Sequence, residues 1–313
     1  MHTSVICVVG SSNTDMVVKA DKLPIPGETV IGGQFLMTPG GKGANQAVAA
    51  ARLGGQVALA VKVGNDIFGK QAIQQFQREK INLKYTSTDP EHPSGVALIN
   101  VDAKGENCIT VAPGANSYLM PKDVEAVIDD LNPHDIVLIQ LEIPLQTVSY
   151  VIRRCAEKKI LVILNPAPAQ LLPSDLFACL DLITPNETEV ELLTGIRVTN
   201  LKSAREAAQA LRDKGVSNVI ITLGHKGAYL QTDKLGKLIP APPVTAIDTT
   251  AGGDCFNGAL AVALASKKPL EEAVAFACKV ASICVTRMGA QASLPYWREV
   301  NKLPLSIDPS ELP

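Results

Sequence analysis

Residues 248–258 read DTTAGGDCFNG, with two aspartates six apart and only small residues before the second. A long apolar pattern with helical spacing follows, which places a helix start near Gly252 to Asp254. The free N–H groups and positive dipole end of such a start favour an anion. Gly252 and Gly253 let a phosphate lie against the backbone. Asp254 then has two readings. It is a common helix-start acid. It is also a suitable base for a hydroxyl about to attack a bound phosphate, whereas an idle carboxylate there would repel the anion. A proton acceptor beside a prepared anion hole is what phosphoryl transfer to an alcohol requires.

A second stretch, GGKGAN over Gly40 to Asn45, offers donors and an acceptor suited to hydroxyls through Lys42 and Asn45. Its glycines expose backbone N–H groups and allow a ligand close approach. The plainer reading is a glycine-rich helix entry with a solvated lysine. It is not a phosphate loop of the G-x-x-x-x-G-K-[ST] type, because Gly43 follows Lys42. No G-x-G-x-x-G follows the first strand-like run either, which argues against a dinucleotide-dependent dehydrogenase.

These residues need elements to hold them. Short β-branched runs alternate with helical patterns along the chain. SVICVVG, VALAVKVG, DIVLIQLE, ILVILNP, LDLITPN and NVIITLG read as strands. Helices are predicted over GANQAVAAARLG and over 68–80, 122–131, 145–158, 187–193, 202–214, 256–265 and 271–285. Continuous apolar strands between helices argue a parallel sheet covered on both faces. Ligands of such sheets bind at the strands' carboxyl ends. Asn13, Asp15, Glu142, Asn165, Asn186, Glu187, Thr222, Gly224, Asp248 and Asp254 all follow strand-like runs, and so fall on one edge. Each alone is an ordinary turn former or cap; together they outline a site. Two segments break the rhythm, residues 14–38 and 94–111. Both have strand character without helices, the second turning near Lys104 and Gly105. They are read as insertions forming a small separate sheet, or else as two surface hairpins.

Composition narrows the function classes. The 313 residues are 46% hydrophobic, enough for a sizeable core in one large α/β domain or in two smaller ones. A net charge of −2 and 4% aromatic residues exclude a strongly basic or base-stacking nucleic-acid binder. Seven cysteines without a C-x-x-C, and four histidines without an H-E-x-x-H, indicate no zinc site and reduced thiols. The N-terminus lacks the form of a signal peptide and no run is long enough for a membrane span, so a cytoplasmic protein is expected. The proline-rich tail after Trp297 is expected on the surface.

At this point the chain resembles the ribokinase-like carbohydrate kinases. GGKGANQAVAAARLG is similar to that family's first signature and DTTAGGDCFNGAL to its second. NPAPA, TPNETE, TLGHKGA and VTRMGAQAS also match in order, over Val5 to about Pro295. The resemblance implies a single domain over 1–313, a Rossmann-like three-layer α/β/α sandwich with a small β-sheet lid from 14–38 and 94–111. It implies ATP-dependent phosphorylation of D-ribose at its 5-hydroxyl, with Asp254 as general base and the backbone of Ala251, Gly252 and Gly253 as anion hole. Asn13, Thr14, Asp15, Gly41, Lys42, Gly43, Ala44, Asn45, Glu142 and Asp254 would hold the sugar. Asn186, the loop Thr222, Leu223, Gly224, His225, Lys226 and Gly227, and Gly253, Asp254 and Cys278 would contact ATP. Glu189 matches the family's N-x-x-E motif, tied indirectly to Mg2+. Asp248, Thr250, Cys284, Arg287, Gly289 and Ser293 match a potassium site. A homodimer through the lid is also implied, with no nucleic-acid or membrane partner. One departure is visible: the family commonly has Gly-Ala-Gly-Asp where this chain has Ala251-Gly252-Gly253-Asp254. Related sugar kinases acting on deoxyribose, fructose or a nucleoside, and a sugar-binding protein without catalysis, are the competing readings.

Overall fold

The computed structural model describes residues 4–300; most of the proline-rich tail, and His2, lie outside the described residues. Fourteen strands are described: β1 Val5–Val9, β2 Asn13–Lys19, β3 Gln34–Gly40, β4 Gln56–Ala60, β5 Lys62–Gly64, β6 Ser87–Asp89, β7 Gly95–Val101, β8 Asn107–Ala112, β9 Ile136–Ile139, β10 Leu161–Leu164, β11 Leu182–Ile183, β12 Asn218–Thr222, β13 Ala228–Gln231 and β14 Gly236–Ile239. The helices are α1 Lys42–Arg52, α2 Ile67–Arg78, α3 Pro121–Asp130, α4 Leu145–Lys158, α5 Glu187–Thr194, α6 Leu201–Asp213, α7 Gly252–Ala265, α8 Leu270–Cys284, α9 Ala290–Ser293 and α10 Trp297–Val300.

The main sheet has the order β14-β13-β12-β11-β10-β9-β1-β4, parallel from β4 through β12. Its central strands β1, β9, β10 and β11 are apolar at every position because both faces are covered. In β1, Ile6 and Val8 enter the core beneath α1, α7 and α8, while Cys7 and Val9 enter the core beneath α3, α4 and α6. The period of two sends alternate residues to opposite layers. These are the expected three layers.

The two irregular segments form one four-stranded sheet, β3-β2-β7-β8. β2 pairs with β3 antiparallel and with β7 in parallel, while β7 and β8 form a hairpin turning at Gly105. The surface-hairpin alternative is therefore wrong: the segments are joined across β2 and β7.

Three expectations change. VALAVKVG is not one strand: β4 ends at Ala60, and β5 leaves to pair with β6 in a separate parallel pair. An apolar run does not say which sheet its ends join. The hairpin β13–β14 closes the main sheet antiparallel and was not foreseen. Its Thr232 to Lys234 turn and exposed Lys237 dilute the strand signal of an edge. Finally, residues 240–251, before α7, carry no strand.

α1 and α7 lie against each other at Gly258. A Cβ there would come within 2.7 Å of Ala49 Cβ and 2.8 Å of the Gln46 carbonyl oxygen. Asp254 stands one turn before Gly258, so the same face of α7 carries both toward α1. Gly258→Ala should therefore cost on the order of 1–3 kcal/mol, despite alanine's better helix propensity. The measurement is the urea midpoint at unchanged m-value; an unshifted midpoint contradicts the close packing.

Candidate active site

Strand order reverses at β1: the chain goes to β4 on one side and β9 on the other. The crevice beyond the carboxyl ends of β1 and β9 is the expected ligand position. Segments 10–13 and 140–142 line it, and the N-termini of α1 and α7 flank it.

The N-terminus of α1 is already partnered. Glu142 accepts hydrogen bonds from Lys42 N (2.9 Å) and from Ser11 Oγ. Gly41 sits before the helix at φ 88°, and a Cβ there would lie 2.7 Å from Asn13 N. A Cβ at Gly43 would lie 2.5 Å from Ser11 N. These glycines have a packing role as well. They let the helix start approach the chain's own segment 10–13. Thr14 and Ala44 act through the same backbone: Thr14 pairs in β2, and Ala44 N donates to Ser11 O at 2.8 Å.

The N-terminus of α7 differs. Ala251 precedes it in the left-handed region at φ 59°, and no side chain caps it. A Cβ at Gly253 would meet nothing within 4 Å, so this glycine faces open space. Asp254 follows, almost wholly buried. Its Oδ2 accepts from Asn45 Nδ2 and its Oδ1 from Gln46 Nε2, each at 2.9 Å. Burial pushes its carboxyl above the usual range, against the pull of Lys42, Asn45 and Gln46.

Lys42 lies among Asp254, Glu142, Glu189 and Asp15; burial disfavours its charge, but those four carboxylates raise its pKa overall. Asp15, on β2, is pushed to about 6 by burial first and then by Glu142 and Asp254. Asn13 is held by Asn116, whose Nδ2 donates to Asn13 Oδ1 at 2.8 Å. Asn45 Oδ1 is buried without a hydrogen-bond partner among the described residues.

The remaining expected residues fall in two further groups. Asn186 caps α5, its Oδ1 accepting from Glu189 N and Glu189 Oε2 accepting from Asn186 N, both at 2.8 Å. The N-x-x-E motif is thus a capping box as well. Asn186 bridges Thr222, so Leu223 to Gly227 stand beside it, with Gly224 to Lys226 as one helical turn. Cys278 packs in the core with Sγ 3.9 Å from Ile239 O, and burial raises its thiol to about 12. Behind α7, Asp248 accepts from Thr250 N (2.9 Å) and Gly289 N (2.8 Å). Burial alone would raise its carboxyl, but those bonds hold it low. Val285 O accepts from Ile247 N, joining the two loops, and Ser293 Oγ lies 3.0 Å from Cys284 Sγ. Arg287 offers only its main chain here, its guanidinium pairing with Glu299 at 2.8 Å.

Several residues of the site were not foreseen: Ser11, Gln46, Asn116, Gln140, Thr184 and Asn257. Gln46 stood out in principle as the one long polar residue within GANQAVAAA. Asn257 follows Asp254 by three, and its Nδ2 donates to Gly253 O at 2.9 Å.

Comparison with known proteins adds the family. The model of the pfkB family of carbohydrate kinases matches residues 3–297. The chain belongs to that family. It is 42% identical over 294 residues to the ribokinase of Haemophilus influenzae, covering 94% of this chain and 96% of that protein. It is 39% identical over 298 residues to the deoxyribokinase of Salmonella typhi, covering 95% and 97%. The solved structure of Arabidopsis thaliana ribokinase with ribose and ATP superimposes with a TM-score of 0.89 at 31% identity, covering 98% of this chain and all of that one. The fold is therefore ribokinase-like.

The raised pKa of Asp15 has a consequence for stability. A carboxyl with a raised native pKa stabilises the fold while protonated and loses that contribution as pH rises through its native value. Asp15→Asn should match the parent near pH 4 and exceed it at pH 7 by on the order of 1–3 kcal/mol. Urea unfolding at both pH values checks this; equal stability at pH 7 counts against a strained Asp15.

Proposed function

We propose that this enzyme transfers the γ-phosphoryl group of ATP to the 5-hydroxyl of D-ribose, giving ribose 5-phosphate and ADP. The observation that carries the reading is the pairing of a buried, hydrogen-bonded Asp254 with the uncapped first turn of α7. Asp254 takes the hydroxyl proton as the oxygen attacks. The N–H groups of the first turn, at Ala251 to Gly253, receive the charge of the transferring phosphoryl group. Asn13, Asp15, Lys42, Asn45 and Glu142 hold sugar hydroxyls, and the unpartnered Asn45 Oδ1 supports a hydroxyl donor beside Asp254. Gly41, Gly43 and Ala44 shape that wall. Asn186 and residues 222–227 take the nucleotide, with Lys226 and His225 near its exposed side.

Mg2+ would neutralise charge on the phosphates, and Glu189 is the acid best placed to orient its waters. The donor set behind α7 suits K+: the Asp248 carboxylate, the carbonyls of Thr250, Cys284, Arg287 and Gly289, and Ser293 Oγ are hard oxygens. Fixing that loop would fix the N-terminus of α7, because a Cβ at Gly252 would lie 3.1 Å from Val285 Cγ1. A homodimer through the lid is supported by exposed Phe35, Met37, Leu98 and Ile109 on that sheet. No helix among the described residues is long and apolar enough to cross a membrane. The free cysteines and the need for ATP support a cytoplasmic setting.

The second reading is a kinase for 2-deoxyribose, supported by the identity to the Salmonella enzyme. A panel of free sugars, measured as kcat/KM with ATP, decides between them: a tenfold preference for another sugar defeats ribose. Asp254→Asn should lower kcat on the order of 10^2- to 10^4-fold with little change in ribose affinity. Near-normal turnover by that variant rules out the base assignment. Replacing K+ by tetramethylammonium should lower the rate; equal rates argue against the cation site.

A further inference from the structure

Gln46 is fully buried, and every polar atom of its side chain is engaged. One N–H of Nε2 donates to Asp254 Oδ1 at 2.9 Å and the other to Asn165 Oδ1 at 3.0 Å. Oε1 accepts from Gln140 Nε2 at 2.5 Å. The amide is therefore fixed in one orientation by residues from the ends of β9 and β10. Its backbone is fixed too, since Gly258 brings α7 against Gln46 and Ala49. We propose that Gln46 is a positioning residue for phosphoryl transfer, aiming the Asp254 carboxylate at the incoming hydroxyl.

The inference rests on the reading of Asp254 as the base. A carboxylate on a short side chain can rotate, and proton abstraction needs a lone pair within hydrogen-bond reach of one hydroxyl. One amide bond on each oxygen sets the plane of the carboxylate and leaves the remaining lone pairs directed. The donors are neutral, so they orient Asp254 without the strong loss of basicity that an adjacent arginine would bring. A buried glutamine needs partners in any case. A merely structural Gln46 would affect stability when removed, but not the pH dependence of turnover.

Two substitutions separate these roles. Gln46→Met keeps the length and removes both donors. It should lower kcat on the order of 10- to 100-fold, with sugar KM within about threefold. In an Asp254→Asn background it should cause no further loss of kcat. Gln46→Glu sets a second carboxyl against Asp254, and two carboxylates in contact share one proton. While the introduced carboxyl holds that proton it can still donate to Asp254; once the proton is lost it repels. A descending limb of kcat should appear between about pH 6 and 9, absent from the parent enzyme. The other charged or titrating groups acting with Asp254 are Lys42, Glu142, Asp15, Glu189, and the thiols of Cys255 and Cys284. They are common to parent and variant, so the new limb belongs to the substitution.

A folded Gln46→Met with kcat within twofold of the parent overturns the proposal. So does a Gln46→Glu pH profile parallel to the parent's. If Gln46→Met loses cooperative unfolding, the Gln46→Glu profile decides alone. Near-normal turnover by Asp254→Asn means that the base reading has failed. Loss of turnover by Asp254→Asn, with parent-like Gln46 variants, removes only the positioning role.

Discussion

Two helices aim their N-termini into one crevice, and only one of them is neutralised from within. Glu142 supplies negative charge to α1 through Lys42 N. Among the described residues no side chain caps the first turn of α7, where Gly252 N donates to Thr249 O at 3.1 Å. An unmatched positive helix end beside buried polar groups is a prepared anion site. Asp254 is the complication, because its charge would weaken that site. The fold limits the conflict by burial, which raises the carboxyl's pKa, and by turning both oxygens toward amide donors on α1. The site depends on α1 and α7 lying close enough for those two bonds.

That closeness is a backbone matter. Gly258 has no room for a side chain against Ala49 and the Gln46 carbonyl. Gly41 and Gly43 have none against the segment after β1. Three main-chain contacts thus fix α1 between the sheet edge and α7. The polar network then follows as a consequence of placement: Gln140 to Gln46, Gln46 to Asn165 and Asp254, Thr184 to Asn257, Asn257 to Gly253 O. Each link satisfies a buried group that would otherwise cost free energy. The network also ties the turn at Gly253 to the ends of β9 and β10.

How much of this was legible in the sequence differs by kind of feature. Strands such as β1 (VICVV) and β9 (IVLI) were readable because burial on both faces makes them continuously apolar. The helix over Leu145–Lys158 was readable to the residue, since its apolar stripe has a clean period and ends before Lys159 in the left-handed region. The edge of the site was readable because polar residues at strand ends have few other reasons to cluster. The hairpin β13–β14 was not, since an edge strand mixes polar and apolar residues. The packing role of Gly41 and Gly43 was not legible, because a sequence shows that a side chain is missing but not what occupies its place. Gln46 and Gln140 were missed because a buried glutamine and an exposed one look the same until their partners, 94 residues apart, are brought together.

The small sheet is joined to the chemistry without an intervening linker. β3 ends at Gly40, and α1 begins two residues later at Lys42. β2 starts at Asn13, directly after the segment on which α1 rests, and carries Asp15 into the same cluster of charges. Lys42, and Asn45 and Gln46 in the first turns of α1, are therefore placed directly by the end of this sheet. Burial first, and then the charges of Glu142 and Asp254, raise the pKa of Asp15, so the small sheet and the crevice walls share one electrostatic cluster.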